Sequence, residues 1–127
     1  MTEAELWHMQ LLAVENAIGG LEGVSTIIFA YLAAAYFVGA KLSRFQAALA
    51  TVFFVIAAGM SEFFAFVEYR RAVYFMRALS DSYGVESISP NDVLLPLFAL
   101  ALALLIPACI YFMHTVRSGR TRAGDAH

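Results

Sequence analysis

Three long runs without a charged side chain, separated by short polar segments, dominate the pattern of this chain. The runs are residues 23–40, 45–61 and 93–113. A helix that rises about 1.5 Å per residue needs about 20 residues to cross a hydrocarbon core about 30 Å thick. Because backbone polar groups in lipid must be satisfied within the segment, each run predicts a transmembrane helix. With their flanks, the three predicted helices span residues 21–42, 44–68 and 90–116.

The N-terminal segment, residues 1–20, predicts a separate amphipathic helix. Its apolar face holds Trp7, Leu11, Val14 and Ile18, and the charged residues avoid this face. Such a helix lies in the headgroup region of a bilayer, with Trp7 as its interfacial anchor. The alternative is that the segment extends the first span outward, since Gly19 and Gly20 can form either a hinge or a close-packing site.

The second helix is predicted to continue beyond the outer membrane surface, because no helix-breaking residue precedes Gly84. This continuation belongs to an outer connection over residues 69–89, which is rich in aromatic and charged side chains. The third helix is predicted to begin with Ser89 as N-cap, Pro90 in the first turn and Asp92 near the positive end of the helix dipole. A basic tail over residues 117–127 ends the chain.

Composition places the chain in the membrane class. Apolar residues make up 61% of the sequence and charged residues 14%, with a mean hydropathy of +0.73. A soluble domain has about 45–50% apolar and about 25% charged residues. The difference excludes a disordered chain, a nucleic-acid-binding protein and an ordinary soluble enzyme. We therefore predict an all-α integral membrane protein that forms a single domain over residues 1–127, with the lipid bilayer as its first partner.

The sequence carries no motif for catalysis or for cofactor binding. It lacks a GxGxxG loop, a P-loop, an HExxH helix and a GxSxG elbow. A single cysteine excludes a disulfide framework and a Cys-rich metal site. His8 and His114 fall on opposite sides of the predicted topology, so one copy cannot supply a bis-histidine site. We expect no enzymatic activity, no metal and no resident cofactor, while a cofactor held between copies stays open.

Basic residues are distributed unevenly between the two sides of the predicted topology. Five of the eight lie in the 41–44 loop and the C-terminal tail, and the other three lie in the outer connection. The positive-inside rule therefore predicts a cytoplasmic C-terminus and an external N-terminus. Nine acidic residues fall on or near the outer side, so the net charge of −2 conceals −6 outside and +4 inside. A short, alanine-rich sequence without a signal-peptide pattern suggests the bacterial inner membrane.

Glu62 is the most informative polar residue, because it stands at the end of an uncharged run. It lies about 27 Å along the second helix, near the predicted outer boundary of the bilayer. Thr51 and Ala58 share one helical stripe with Glu62, and this stripe is the candidate pore lining. A carboxylate at membrane depth is costly and indicates a functional role. The alternatives are that Glu62 reaches outer water or pairs with Arg70 or Arg71 from a neighbouring helix.

Two further sets of residues bear on assembly. Glu22 and Glu68 are candidates for an outer acidic ring if several copies surround an axis, because acidic rings favour cations. Small residues four positions apart let helix backbones approach each other where lipid removes the hydrophobic driving force. The candidate helix-packing residues of this kind are Gly19, Gly23, Ala35 and Gly39.

Three functions are compatible with these features. The leading hypothesis is a small polytopic membrane protein that assembles through close helix packing into a homo-oligomer, acting as a cation-conducting ion channel with an acidic outer mouth. Closed cyclic symmetry is the usual form of such an assembly. The second hypothesis is a non-catalytic structural or accessory subunit of a larger membrane complex. The third is a binder of a hydrophobic ligand such as a lipid, a quinone or a pigment.

Overall fold

The computed structural model describes residues 1–86 and 91–125, with side chains for residues 1–86 and 93–119. Every regular element in this part of the chain is helical. The elements are α1 (Glu3–Val38), a short 3-10 turn (Gly39–Lys41), α2 (Arg44–Tyr83) and α3 (Asn91–Asp125). Each of the three α-helices is long and apolar enough to cross a membrane. The predicted all-α class with three such helices is confirmed.

The ends of α1 and α2 follow from local capping chemistry. At the start of α1, the Thr2 hydroxyl accepts from the Glu5 N–H, and the Glu5 carboxylate accepts from the Thr2 N–H at 2.8 Å. Ser43 and Gln46 form the same capping box at the start of α2. Such a box satisfies two backbone donors that have no partner within the helix. Helix α2 ends at Gly84, whose φ of 65° is the left-handed conformation that glycine adopts without steric cost.

Helices α1 and α2 form one antiparallel hairpin that stays in register along its length. At the open end of the hairpin, the Tyr83 hydroxyl donates to the carbonyl oxygen of Met1 at 3.3 Å. Nearer the connection, the rings of Tyr31 and Phe54 stack with their centroids 4.1 Å apart. Each step toward the C-terminus of α1 is therefore matched by a step toward the N-terminus of α2, from the pair Met1 and Tyr83 to the pair Tyr31 and Phe54. The two helices form the rigid base on which α3 packs.

A close approach between α1 and α2 occurs at Gly20. A Cβ atom added there would lie 2.9 Å from the Cβ atom of Ala65 and 3.2 Å from its Cα and N atoms. Carbon atoms in contact normally stand about 3.5–4.0 Å apart, so a side chain at this position does not fit. One turn along, a Cβ atom on Gly23 would lie 3.8 Å from Ser61 Oγ, which is ordinary contact. Gly20 therefore sets the spacing of the hairpin.

Helix α3 packs mainly on α1 and touches α2 much less. Its inner face contributes Leu102, Cys109 and Met113 to the main hydrophobic core. Near the connection, Arg117 Nη1 donates to the carbonyl oxygens of Leu42 and Ser43, both at 3.1 Å. These bonds fix the C-terminal half of α3 to the turn between α1 and α2. Its N-terminal half borders the cleft described below.

The hydrophobic interior consists of two separate clusters. The main cluster unites all three helices and includes Val24, Tyr31 and Phe54. The second cluster lies at the open end of the hairpin, where Leu6 meets Phe75 and Leu79. The second cluster explains why α1 and α2 remain helical and paired well beyond the uncharged runs, since each buries an apolar face against the other.

The predicted separate N-terminal helix is wrong, because α1 continues without interruption from Glu3 to Val38. The predicted apolar face is also not the packed one: Leu11 is 60% exposed and Ile18 is 42% exposed. The buried face carries smaller side chains, including Ala13 and Ala17. Small side chains allow close approach of α2, and this packing holds α1 straight through its two consecutive glycines.

Helix α2 runs to Tyr83, so the predicted continuation of the second helix as far as Gly84 is confirmed. The end of the third helix differs from the prediction, because α3 runs to Asp125, through most of the predicted tail. The predicted N-cap Ser89 and the following Pro90 lie outside the described residues. Asp92 lies in the first turn of α3, which begins at Asn91.

Candidate functional site

A cleft between α2 and the N-terminal half of α3 is the most distinctive concave feature of the described chain. Its cavity volume is about 330 Å³, and one side of α1 closes it at the back. Ten residues line the cleft: Leu21 from α1; Glu62, Ala65, Phe66 and Tyr69 from α2; Leu95, Pro96, Ala99, Leu100 and Ala103 from α3. Nearly all of this lining is apolar, so the cleft has the character of a small hydrophobic pocket.

Three alanines, one on α2 and two on α3, are the small side chains in the lining of the cleft. Ala65 of α2 is buried against Gly20 and extends no further than its methyl group. Ala99 and Ala103 of α3 lie one turn apart on the face toward the cleft. Larger side chains at these positions would fill the space. The sequence thus builds the cavity from alanines that, on their own, resemble ordinary helix-packing residues.

Glu62 is the one charged residue among those that line the cleft. Its Oε2 atom is buried and has no hydrogen-bond partner among the described residues. Buried polar atoms are normally paired, and an ionised carboxylate without a partner carries a large desolvation cost. Glu62 therefore combines a side chain that lines the cleft with one carboxylate oxygen that is buried and has no hydrogen-bond partner among the described residues.

The basic residues that sequence reasoning offered to Glu62 are engaged elsewhere. Arg70 and Arg71 line a different groove on α2, together with Phe63 and aromatic neighbours. Arg71 Nη1 donates to both carboxylate oxygens of Glu68, at 3.0 and 3.3 Å. Within the described residues of one chain, Glu62 has no ion pair with either arginine. Pairing with an arginine of a neighbouring helix stays a prediction.

The residues of the predicted pore stripe lie inside the three-helix unit. Thr51 Oγ1 donates to the carbonyl oxygen of Ala47 at 2.8 Å, so it accepts from the Tyr31 hydroxyl, which also lies at 2.8 Å. Ala58 is fully buried in the main core, and Glu62 borders the cleft. Helix α1 therefore covers Thr51 and Ala58. The stripe does not form a continuous outward surface.

The two residues of the predicted acidic ring occupy different environments. Glu22 is exposed, as predicted for a group facing water. Glu68 is only 6% exposed and is ion-paired to Arg71. Glu68 falls on the face of α2 that packs on α1, alongside Ala65 and Ala72. In this arrangement Glu68 is not available to line an outer mouth.

The predicted helix-packing residues divide between internal contacts and open surface. Gly39 is buried, and a Cβ atom there would lie 3.0 Å from the sulfur of Met113 on α3. Ala35 is fully buried beside it. Gly23 faces Ser61 of α2, whereas a Cβ atom on Gly19 would meet nothing within 4 Å.

Gly20 is the packing residue that sequence reasoning did not select, although the Gly19–Gly20 pair marked its position. Of the two glycines that the spacing rule selected, Gly23 faces α2 and Gly19 faces open space, and the closest approach of α2 is at Gly20 instead. Trp7, the predicted interfacial anchor, is half-buried against the second hydrophobic cluster. Its environment is thus set in part by the hairpin itself.

Among the described residues, no group of three or more His, Cys, Asp or Glu side chains could hold a metal ion. Cys109 is buried in the main core. No known protein family matches the chain, and no curated protein or solved structure is significantly similar to it.

Proposed function

We propose that this chain is an integral protein of the bacterial inner membrane that binds a small hydrophobic ligand in the cleft between α2 and α3. The proposed orientation has the N-terminus outside and the C-terminus in the cytoplasm, as the distribution of basic residues favours. In this orientation the cleft lies toward the outer side of the bilayer. A ligand would enter sideways from the lipid, between two helices that touch each other little.

The observation that carries the proposal is an apolar cavity of about 330 Å³ lined by one carboxylate side chain, Glu62, whose Oε2 atom is buried without a hydrogen-bond partner among the described residues. Pockets for small molecules have volumes of about 300–1,000 Å³ and combine apolar walls with a few placed polar groups. The cleft meets both conditions at the lower end of the size range. It accommodates the head and the first part of a chain-like ligand, while the remainder lies along α3 in the lipid.

A test of the proposed function compares two substitutions in α3. Ala103→Phe fills the cleft, and Ala101→Phe places the same ring on an exposed position two residues away. Protein purified in mild detergent from its own membrane is examined by native mass spectrometry and by organic extraction. We expect a bound species of defined mass on the wild type and on Ala101→Phe, and its loss from Ala103→Phe.

Two results would contradict the proposed function. The first is wild-type protein that carries no small molecule after purification in several mild detergents. The second is equal retention of the bound species by Ala103→Phe and Ala101→Phe, because retention in a filled cleft would place the ligand elsewhere. Circular dichroism of both variants serves as the control for folding.

A second candidate function, assembly of copies through close helix packing, is favoured by one open surface. A groove of about 700 Å³ runs along α1 and α2 and is lined in part by Gly19, Gly23, Met60 and Phe64. Glycines on an open surface let the backbone of a second copy approach closely. The test is the mass of the purified protein with and without Gly19→Leu. A monodisperse oligomer that the substitution dissociates supports assembly, and a wild-type monomer excludes it.

A further inference from the structure

We propose that the head of the ligand is an organic ammonium group, which Glu62 binds at the cleft between α2 and α3. This inference rests on the proposed function, because it assigns the chemistry of the ligand that the same cleft would hold. The ligand is thus an amphiphile with a cationic nitrogen at one end and an apolar chain at the other. Three independent features of the cleft support this class.

The first feature is the charge of the cleft. Glu62 is the one charged side chain in its described lining, and its Oε2 atom has no hydrogen-bond partner there. A neutral hydroxyl group could donate one hydrogen bond but would leave the negative charge without a counter-ion. An ammonium group supplies both the counter-charge and, where it carries hydrogen, the donor. A cationic group is therefore the ligand that would stabilise the ionised form of this carboxylate within the cleft.

The second feature is the aromatic wall beside the carboxylate. Phe66 and Tyr69 follow Glu62 by four and seven positions on α2, so all three lie on one face, and all three line the cleft. The faces of aromatic rings attract ammonium groups, including fully alkylated ones that cannot donate a hydrogen bond. A carboxylate next to two aromatic rings is the combination that recognises organic cations.

The third feature is the apolar continuation of the cleft along α3. Leu100 and Ala103 line the part that extends toward the middle of the uncharged run 93–113. A ligand with its nitrogen at Glu62 would direct its chain into this part and onward into lipid. The cleft therefore matches an amphiphile in which the charge lies at one end. A free inorganic cation would leave the apolar part of the cavity empty.

The experiment compares two probes that differ mainly in charge. Dodecyltrimethylammonium is a cation, and dodecyldimethylamine N-oxide has the same chain, a similar head size and no net charge above neutral pH. Binding of each to the full-length protein in a neutral detergent is measured by native mass spectrometry titration. The variants are Glu62→Gln, Glu62→Asp and Ala103→Phe, with Glu15→Gln as a control at an exposed carboxylate on α1.

We expect the wild type to bind the ammonium probe at least about tenfold more tightly than the N-oxide, as a charge-assisted contact implies. Glu62→Gln should remove this preference, whereas Glu62→Asp should retain part of it and Glu15→Gln all of it. Ala103→Phe should weaken both probes.

Two results would overturn the inference, and they separate it from the proposed function. Equal binding of both probes, lost in Ala103→Phe but unchanged in Glu62→Gln, would keep the hydrophobic-ligand function and refute the cationic head. Binding of neither probe to the wild type, or binding unaffected by Ala103→Phe, would refute both. Far-UV circular dichroism and elution from a sizing column confirm that each variant is folded.

Discussion

Replacing Gly20 with alanine adds one methyl group where α1 and α2 approach closely. The new Cβ atom would stand 2.9 Å from the Cβ atom of Ala65 and 3.2 Å from its backbone Cα and N atoms. Because two of these atoms belong to the backbone, no side-chain rotation relieves the contact. Normal carbon–carbon contact needs about 3.5–4.0 Å, so the helices must separate locally by about 0.6–1.1 Å.

Two opposing terms decide the magnitude of the effect. Overpacking of a tight contact costs about 1–3 kcal/mol. Alanine within a helix is favoured over glycine by about 0.8–1 kcal/mol. We therefore expect Gly20→Ala to lower the free energy of unfolding by about 0–2 kcal/mol, as the net of these terms.

The adjacent glycine provides a matched control. A Cβ atom on Gly19 would meet nothing within 4 Å, so Gly19→Ala gains the helix-propensity term without the steric cost. We expect it to raise the free energy of unfolding by about 0.5–1 kcal/mol. Since the propensity term is common to both variants, the difference between them isolates the steric term of about 1–3 kcal/mol.

Equilibrium unfolding in mixed micelles, followed by circular dichroism as the fraction of denaturing detergent rises, measures this difference. The wild type and both alanine variants are compared at equal protein concentration. A difference below about 0.5 kcal/mol between the two variants would refute the close approach at Gly20 as the feature that sets the hairpin spacing, because overpacking costs more than that.

Two further predictions concern hydrogen bonds that join different helices. Tyr31→Phe keeps the stacked ring but removes the O–H that donates to Thr51, so we expect the free energy of unfolding to fall by about 0.5–1.5 kcal/mol. The effects of Tyr31→Phe and Thr51→Val on the free energy of unfolding should be less than additive in the double variant. Full additivity would contradict the hydrogen bond. Arg117→Gln removes the guanidinium group that donates to two carbonyl oxygens of the α1–α2 connection, so hydrogen exchange in the C-terminal half of α3 should accelerate. Arg44 is exposed at the same end of the molecule, and Arg44→Gln should leave this exchange rate unchanged.

Much of the architecture could be predicted from local sequence because the signals act within one helix. The uncharged runs predicted three helices, and Gly84 marked the first residue able to end α2, which the structure confirms. The sequence also identified Glu62 as the carboxylate at the end of an uncharged run. Helix length and capping depend on neighbours three or four residues away, so the chain itself contains the information.

The faces of the helices could not be predicted in the same way. The helical spacing of Leu11 and Ile18 predicts an apolar packing face on the N-terminal segment. The structure exposes both residues and buries Ala13 and Ala17 instead. A large apolar side chain gains little from facing another helix rather than lipid, whereas a small one permits close backbone contact. Gly20 shows the same preference.

What the sequence by itself determined is therefore the number of apolar helices and the presence of one carboxylate at the edge of an uncharged run. The tertiary structure decided that Glu68 is buried and paired with Arg71, while Glu62 borders a cleft with an unpaired oxygen. The surroundings of the two glutamates differ because α3 packs mainly on α1 and touches α2 much less, an outcome that depends on contacts between residues far apart in sequence.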